Sequence, residues 1–185
     1  LSMAPIANEK KILLLSPTAS SIDIPKTGLY SLSIFPPEDY EASLMAEYAY
    51  GKGYKNVCVI YQQVSASETM KKSFSDVFDQ KGGKIVIEEA FPSNTKDFRN
   101  VLSKVKENNV DAIYLIAYTE PAIIITKQIN EMKINLPILS QSALYDPNFI
   151  EKTKDYLTEI TLTAPYFNDM NKDSSIVNFR NSFNQ

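Results

Sequence analysis

The stretch Lys55–Phe91 reads KNVCVIY, then QQVSASETMKKSFSDVFDQKGG, then KIVIEEAF. Val57–Tyr61 is a short apolar run rich in β-branched residues, which suits a strand covered on both faces. In the middle piece Met70, Phe74, Val77 and Phe78 recur at helical spacing and share one face. Gly82 and Gly83 follow, where a left-handed residue commonly ends a helix. Strand, helix, stop and strand make one βαβ unit. A parallel pair needs a crossover of this kind, and such crossovers are nearly always right-handed.

The same unit repeats on both sides. Upstream, Lys11–Leu15 (KILLL) predicts a buried strand running into the hydroxyl cluster Ser16–Ser21. Leu29–Phe35 alternates as a strand with one more exposed face, and Pro36 and Pro37 end it. Glu38–Tyr50 predicts a helix with Tyr40, Leu44 and Tyr48 on its apolar side; the tyrosines read as packing rather than as a ligand cage. Downstream, Ser93, Asn94 or Thr95 is placed to cap a helix over about residues 96–108. Asp111–Ala117 is a further buried strand, and Ala122–Met132 is a helix with an apolar start. Leu136–Leu139 and Ile160–Ala164 predict strands, Asp146-Pro147 a short helix, and Ser174–Gln185 a last helix. Residues 1–9 read as the tail of an element and residues 174–185 as a helix cut short, so the chain reads as an internal fragment.

This alternation predicts an α/β fold: a doubly wound, mainly parallel sheet with helices on both faces. Polar clusters stand at several strand C-termini: Ser16–Ser21, Gln62–Ser67, Tyr118–Glu120, and Gln141 with Ser142. Ligands of open α/β sheets bind at those ends. Hydroxyls and free backbone N–H groups in the first cluster suit a carboxylate. A plain Ser/Pro turn or helix cap is the other reading of the same residues.

Composition narrows the chemistry. A net charge of −3 argues against nucleic acid as a partner, since phosphate neutralisation needs clustered Lys and Arg. The chain has no histidine, which removes the commonest general base, the Ser-His-Asp arrangement and most zinc sites. Five glycines form neither a GxGxxG nor a P-loop motif, so no cofactor is expected. The single Cys58, in mid-strand, reads as a small buried hydrophobe. No apolar run approaches the roughly 18 residues of a membrane span. Much enzyme chemistry is therefore not expected, and Glu120 and Asp146 are the only candidate acids near strand ends.

Several segments together resemble the type I periplasmic binding-protein fold, in particular the leucine/isoleucine/valine-binding family of ABC-transporter receptors. They are Ile12–Ser20 (ILLLSPTAS), the helix and strand of Tyr40–Tyr61, Lys81–Lys84 (KGGK), Thr95–Phe98 (TKDF), Val110–Tyr114 (VDAIY) and Leu136–Leu139 (LPIL). The resemblance covers nearly the whole chain and implies two lobes that close on a ligand by hinge motion. It places residues 1–37 at the end of a first lobe-one stretch, residues 38–165 as lobe two, and residues 166–185 as the start of a return to lobe one. The implied partners are an amino acid or related small carboxylate and a membrane permease, in an extracytoplasmic location. A ligand-binding sensor module of a receptor or regulator is the alternative. Ser16, Thr18, Ala19 and Ser20 match the family's carboxylate-holding turn, Ser20 standing at the family's threonine. Tyr118, with Thr119 beside it, matches a tyrosine that faces the cleft.

Two positions depart from the family. Ala66 stands where a tyrosine is frequent, and Ser142 where an acid pairs with the ligand ammonium. A neutral Ser142 points to a ligand without the amine; the other reading is that Glu120, close enough in sequence, is a substitute acid. Weak or no binding by the chain alone is expected, and a homodimer of the fragment, or exchange of segments 1–37 between chains, is one way to cover the apolar residues there.

Overall fold

The computed structural model describes residues 2–157, 159–165 and 174–183. Two parallel sheets organise them. The smaller pairs β1 (Leu14–Ser16) with β2 (Ser31–Ser33), beside helix α1 (Ala4–Lys10). The larger contains β3 (Asn56–Gln62), β4 (Lys84–Phe91), β5 (Ala112–Ile116), β6 (Ile138–Ser140) and β7 (Thr161–Leu162). Its strand order is β4-β3-β5-β6-β7, with every neighbouring pair parallel. The predicted doubly wound α/β class is the one observed.

Alternation along the strands sorts the core into two layers. Val57 and Val59 of β3 and Tyr114 of β5 face one side, where they meet α2 (Glu38–Gly51) and α3 (Ser65–Gln80). Cys58, Ile60, Ile113 and Leu115 face the other, against α4 (Arg99–Glu107), α5 (Thr119–Glu131) and α6 (Pro147–Thr153). Helix α7 spans Ser174–Phe183. Gly82 takes a φ of 92°, as the end of α3 requires. A side chain on Gly83 would meet the Phe78 ring at 2.3 Å, so the helix end sits directly on this glycine.

The chain leaves β3 for β4 on one side and returns through α4 to β5 on the other. The order thus reverses between β3 and β5, and a crevice opens at their C-terminal ends. Gln62, at the end of β3, pins it there. Its Oε1 accepts from the Tyr118 N–H at 3.1 Å, and its Nε2 donates to Ser93 Oγ at 2.8 Å.

Several local expectations are corrected. The segment of residues 11–15 is not a buried strand: only residues 14–16 pair, and Ile12, Leu13 and Leu15 are exposed. Two strands alone cannot cover both faces of a parallel pair. Likewise β2 is shorter than residues 29–35, and Leu29 is 90% exposed. In α2 it is Ala42, Met45, Ala46 and Ala49 that face inward, while Tyr40, Leu44 and Tyr48 are exposed. Small side chains let α2 lie close against α3, and the amphipathic tyrosines sit on the wet flank. Helix α4 starts at Arg99, with none of Ser93, Asn94 or Thr95 as its cap. The buried Gln128 of α5 serves the turn instead, accepting from the Phe98 N–H at 2.7 Å and donating to Lys96 O at 3.0 Å. The Asp146 cap is as expected, accepting from the Phe149 N–H at 2.9 Å.

Cys58 is buried, as expected of a small hydrophobe. Burial pushes its thiol up from an ordinary 9.0 to about 12, and the Glu89 carboxylate adds to the rise. The folded chain therefore holds this proton after the unfolded chain has released it. The associated stability is intact below about pH 9 and is lost between there and about pH 12. In urea titrations at pH 8, 9.5 and 10.5 the midpoint should fall with pH, and less so in Cys58→Ala. Equal slopes in the two proteins would contradict this. Ellman's reagent at pH 8 should label Cys58 only after unfolding.

Candidate ligand cleft at the strand ends

A cavity of about 440 Å³ lies at the C-terminal ends of the strands. Thr18 and Ser20 enter it from the turn after β1, Phe35 from the segment between β2 and α2, and Pro165 from the segment after β7. Ala66 lies on the first turn of α3, Tyr118 at the N-cap of α5, and Ser142 just past β6. Five of the eight residues singled out from the sequence thus come together here: Thr18, Ser20, Ala66, Tyr118 and Ser142.

The other three do not line the cavity. Ser16 Oγ accepts from the Ala19 N–H at 3.1 Å, so these two residues shape the turn from within. Ser33 Oγ completes the brace by donating to the Ala19 carbonyl. Thr119 opens α5 one residue beyond Tyr118. Glu120, the substitute acid expected from proximity in sequence, is engaged elsewhere: Asn148 Nδ2 lies 3.3 Å and Lys152 Nζ 3.5 Å from its Oε1.

Two carboxylates that sequence reasoning missed stand in the cleft. Glu38 and Glu41 lie on the first turn of α2, where negative charge is favoured by the helix dipole. They are only 4% and 9% exposed, and both line the cavity. Glu41 is a junction. Its Oε1 accepts from the Ser142 N–H at 2.6 Å and from Thr163 Oγ1, and its Oε2 accepts from Ser142 Oγ at 3.2 Å. The acid absent at Ser142 in sequence is therefore present there in space, supplied by another element. Glu38 Oε2 accepts from Ser20 Oγ at 3.1 Å, and the Glu38 N–H donates to Ser20 O at 3.0 Å. These bonds tie the β1 turn to α2. The signal for both acids was available, because Glu38, Glu41, Met45 and Ala49 follow a helical stripe. Reading the alanines as the buried face would have put the two carboxylates inward.

Among the described residues lining this cavity none is Lys or Arg. Among the described residues no cluster of ligating side chains suits a metal ion. No helix among them is long and apolar enough to cross a membrane.

Comparison with known proteins gives one consistent result. The family model described as "Periplasmic binding protein" matches residues 1–185. A curated relative, the Leu/Ile/Val-binding protein BraC3 of Rhizobium johnstonii, is 22% identical over 152 residues, covering 80% of this chain and 41% of its own. The branched-chain amino acid transporter substrate-binding protein LivJ of Streptococcus pneumoniae, solved with isoleucine, superposes with a TM-score of 0.80. It is 22% identical and covers 97% of this chain and 53% of its own. A solute-binding protein of an ABC transporter from R. palustris, solved with benzoate, also gives 0.80, at 18% identity, with coverages of 98% and 51%. The chain spans about half the length of these proteins.

Proposed function

This chain belongs to the periplasmic binding protein family, and we propose that it is part of a substrate-binding receptor of an ABC transporter. The receptor takes an amino acid or related small carboxylate between two lobes and delivers it to a membrane permease from the extracytoplasmic side. Residues 1–37 contribute to one lobe and residues 38–165 form the other. Residues 166–185 begin the return, of which residues 166–173 and 184–185 lie outside the described part. Residues 35–37 and 163–165 are the crossings. No bond is made or broken; the chemistry is recognition.

The observation that carries this reading is the cavity itself. It gathers Thr18 and Ser20 from the turn after β1 with Ala66, Tyr118 and Ser142 around the large sheet, beside Phe35 and Pro165. A ligand seated there touches both units and stabilises their approach. Transport is favoured over sensing because LivJ is named as a transporter substrate-binding protein and the R. palustris protein as a solute-binding protein of an ABC transporter.

A melting-point screen of the full gene product tests the proposal. The panel is the amino acids, their keto and hydroxy acids, and aromatic carboxylates. A ligand at 100 times its Kd stabilises the folded state by about 2.7 kcal/mol, enough to raise Tm by several degrees. A saturable rise with at least one small acid supports the receptor. No rise with any of them at millimolar concentration removes it.

A further inference from the structure

We infer that Gln62 is a positioning residue of the cleft: together with Gln141 it clamps the peptide unit between Ala117 and Tyr118 and so aims the Tyr118 ring into the cavity. The inference rests on the receptor reading above. It adds a residue that stands behind the cavity wall and is not itself part of the lining.

The clamp begins where the sheet stops. Strand β5 pairs with β3 as far as Ile116 and with β6 as far as Leu115. The Ala117 carbonyl and the Tyr118 N–H, which form one peptide unit, lie past the last of these pairs. Helix α5 does not serve the N–H either, because the N–H groups at a helix start have no acceptor within the helix. Ala117 is fully buried, and buried backbone groups need partners. Two side chains supply them. Gln62 Oε1 accepts from the Tyr118 N–H at 3.1 Å, and Gln141 Nε2 donates to the Ala117 carbonyl at 3.2 Å. The two glutamines stand at the ends of β3 and β6, the strands on either side of β5. They are 5% and 8% exposed.

One peptide plane is thus held at both edges, from opposite sides. Because the peptide is planar, this fixes ψ of Ala117 together with φ of Tyr118, which is −77°. That φ sets the direction of the Tyr118 Cβ, and with it the ring that lines the cavity. Half of Tyr118 is exposed, so packing holds the ring weakly and the backbone has to aim it. Chemistry dictates the residue type. A backbone N–H only donates and a carbonyl only accepts, so one side chain must present oxygen and the other nitrogen. Gln62 is itself oriented for its part. Its Nε2 donates to Ser93 Oγ at 2.8 Å, which turns Oε1 toward Tyr118.

The test combines amide hydrogen exchange, read by NMR, with calorimetric titration of the full gene product. In the wild type the Tyr118 amide should exchange at least about 100-fold more slowly than an unstructured amide. Gln62→Met keeps the length of the side chain and removes both of its hydrogen bonds. It should bring that amide to within about 10-fold of the unstructured rate, whereas Gln62→Glu keeps an acceptor and should leave it protected. The titrated probe is the tightest binder among L-leucine, L-phenylalanine, L-glutamate, 4-methylpentanoate and benzoate. Gln62→Met should weaken it about 10-fold, and Tyr118→Ala by a similar factor. In the double variant the two losses should not multiply: binding falls no more than about 3-fold below Tyr118→Ala alone, since Gln62 acts through that ring. A merely structural role for Gln62 gives the product, about 100-fold. That product, or a Gln62→Met affinity within about 3-fold of wild type, overturns the inference and leaves the receptor reading standing. So does a wild-type Tyr118 amide that exchanges freely, a result that needs no variant to fold. Binding of none of these probes removes the receptor reading, and this inference with it.

Discussion

Phe74→Ala is expected to lower the stability of the full gene product by about 3–5 kcal/mol, the range for removing a fully buried aromatic ring. In melting experiments that is a fall in Tm on the order of 10 °C. Phe74 is completely buried, and its ring lies between two others. It stacks on Tyr114 at 4.3 Å and on Phe78 at 5.3 Å between centroids, with interplanar angles of 29° and 24°. Tyr114 is on the central strand β5, so this column fastens α3 to the middle of the sheet. Truncation leaves a cavity that the stacked neighbours fill only by abandoning their own contacts. Phe74→Leu retains most of the volume and should cost less than half as much. A loss below about 1 kcal/mol in the Ala variant would mean that α3 is not held by this column.

Glu41→Ala is the second large effect. The carboxylate receives a backbone N–H and two hydroxyls from segments far apart in sequence, Ser142 and Thr163. Hydrogen bonds to a charged acceptor contribute about 1.5–3 kcal/mol each where water does not replace them. Ser142 and Thr163 are partly accessible, so a total of about 3 kcal/mol is expected rather than the sum. Glu41→Gln is the informative control. Its amide oxygen can accept from the Ser142 N–H while its NH₂ donates to Ser142 Oγ, so it should lose only about 1 kcal/mol. In binding titrations the Ala variant should weaken the ligand by about 10-fold or more, because Ser142 and the segment of residues 163–165 lose their common anchor. Equal losses in Ala and Gln variants would show that the charge, and not the geometry, is what Glu41 supplies.

The sheet was legible because its central strands are coded redundantly. Val57–Tyr61 and Ala112–Ile116 are apolar on both faces, and a helix with a clear apolar stripe separates β3 from β4. The small sheet was over-read. KILLL is as apolar as β5, yet only residues 14–16 pair in that stretch, and burial depends on neighbours that no local pattern encodes. In α2 the large tyrosines attracted attention, whereas the packed face is alanine and methionine. That one misjudged face concealed Glu38 and Glu41, which read as ordinary first-turn acids. The strand-end rule found Thr18, Ser20, Tyr118 and Ser142, since it follows from topology. It could not find acids that arrive on a helix N-terminus directly after a crossing segment.

The most direct test of the central claim, that the cavity at the strand ends is the ligand site, is one comparison by titration calorimetry. The acid giving the largest melting shift is titrated into the full gene product and into its Ser20→Ala/Tyr118→Ala variant, altered on opposite walls of the cavity. One site per chain in the wild type and affinity about 100-fold weaker in the variant is the predicted result. Binding that is within about 3-fold of wild type in a folded variant would contradict it and place the ligand elsewhere.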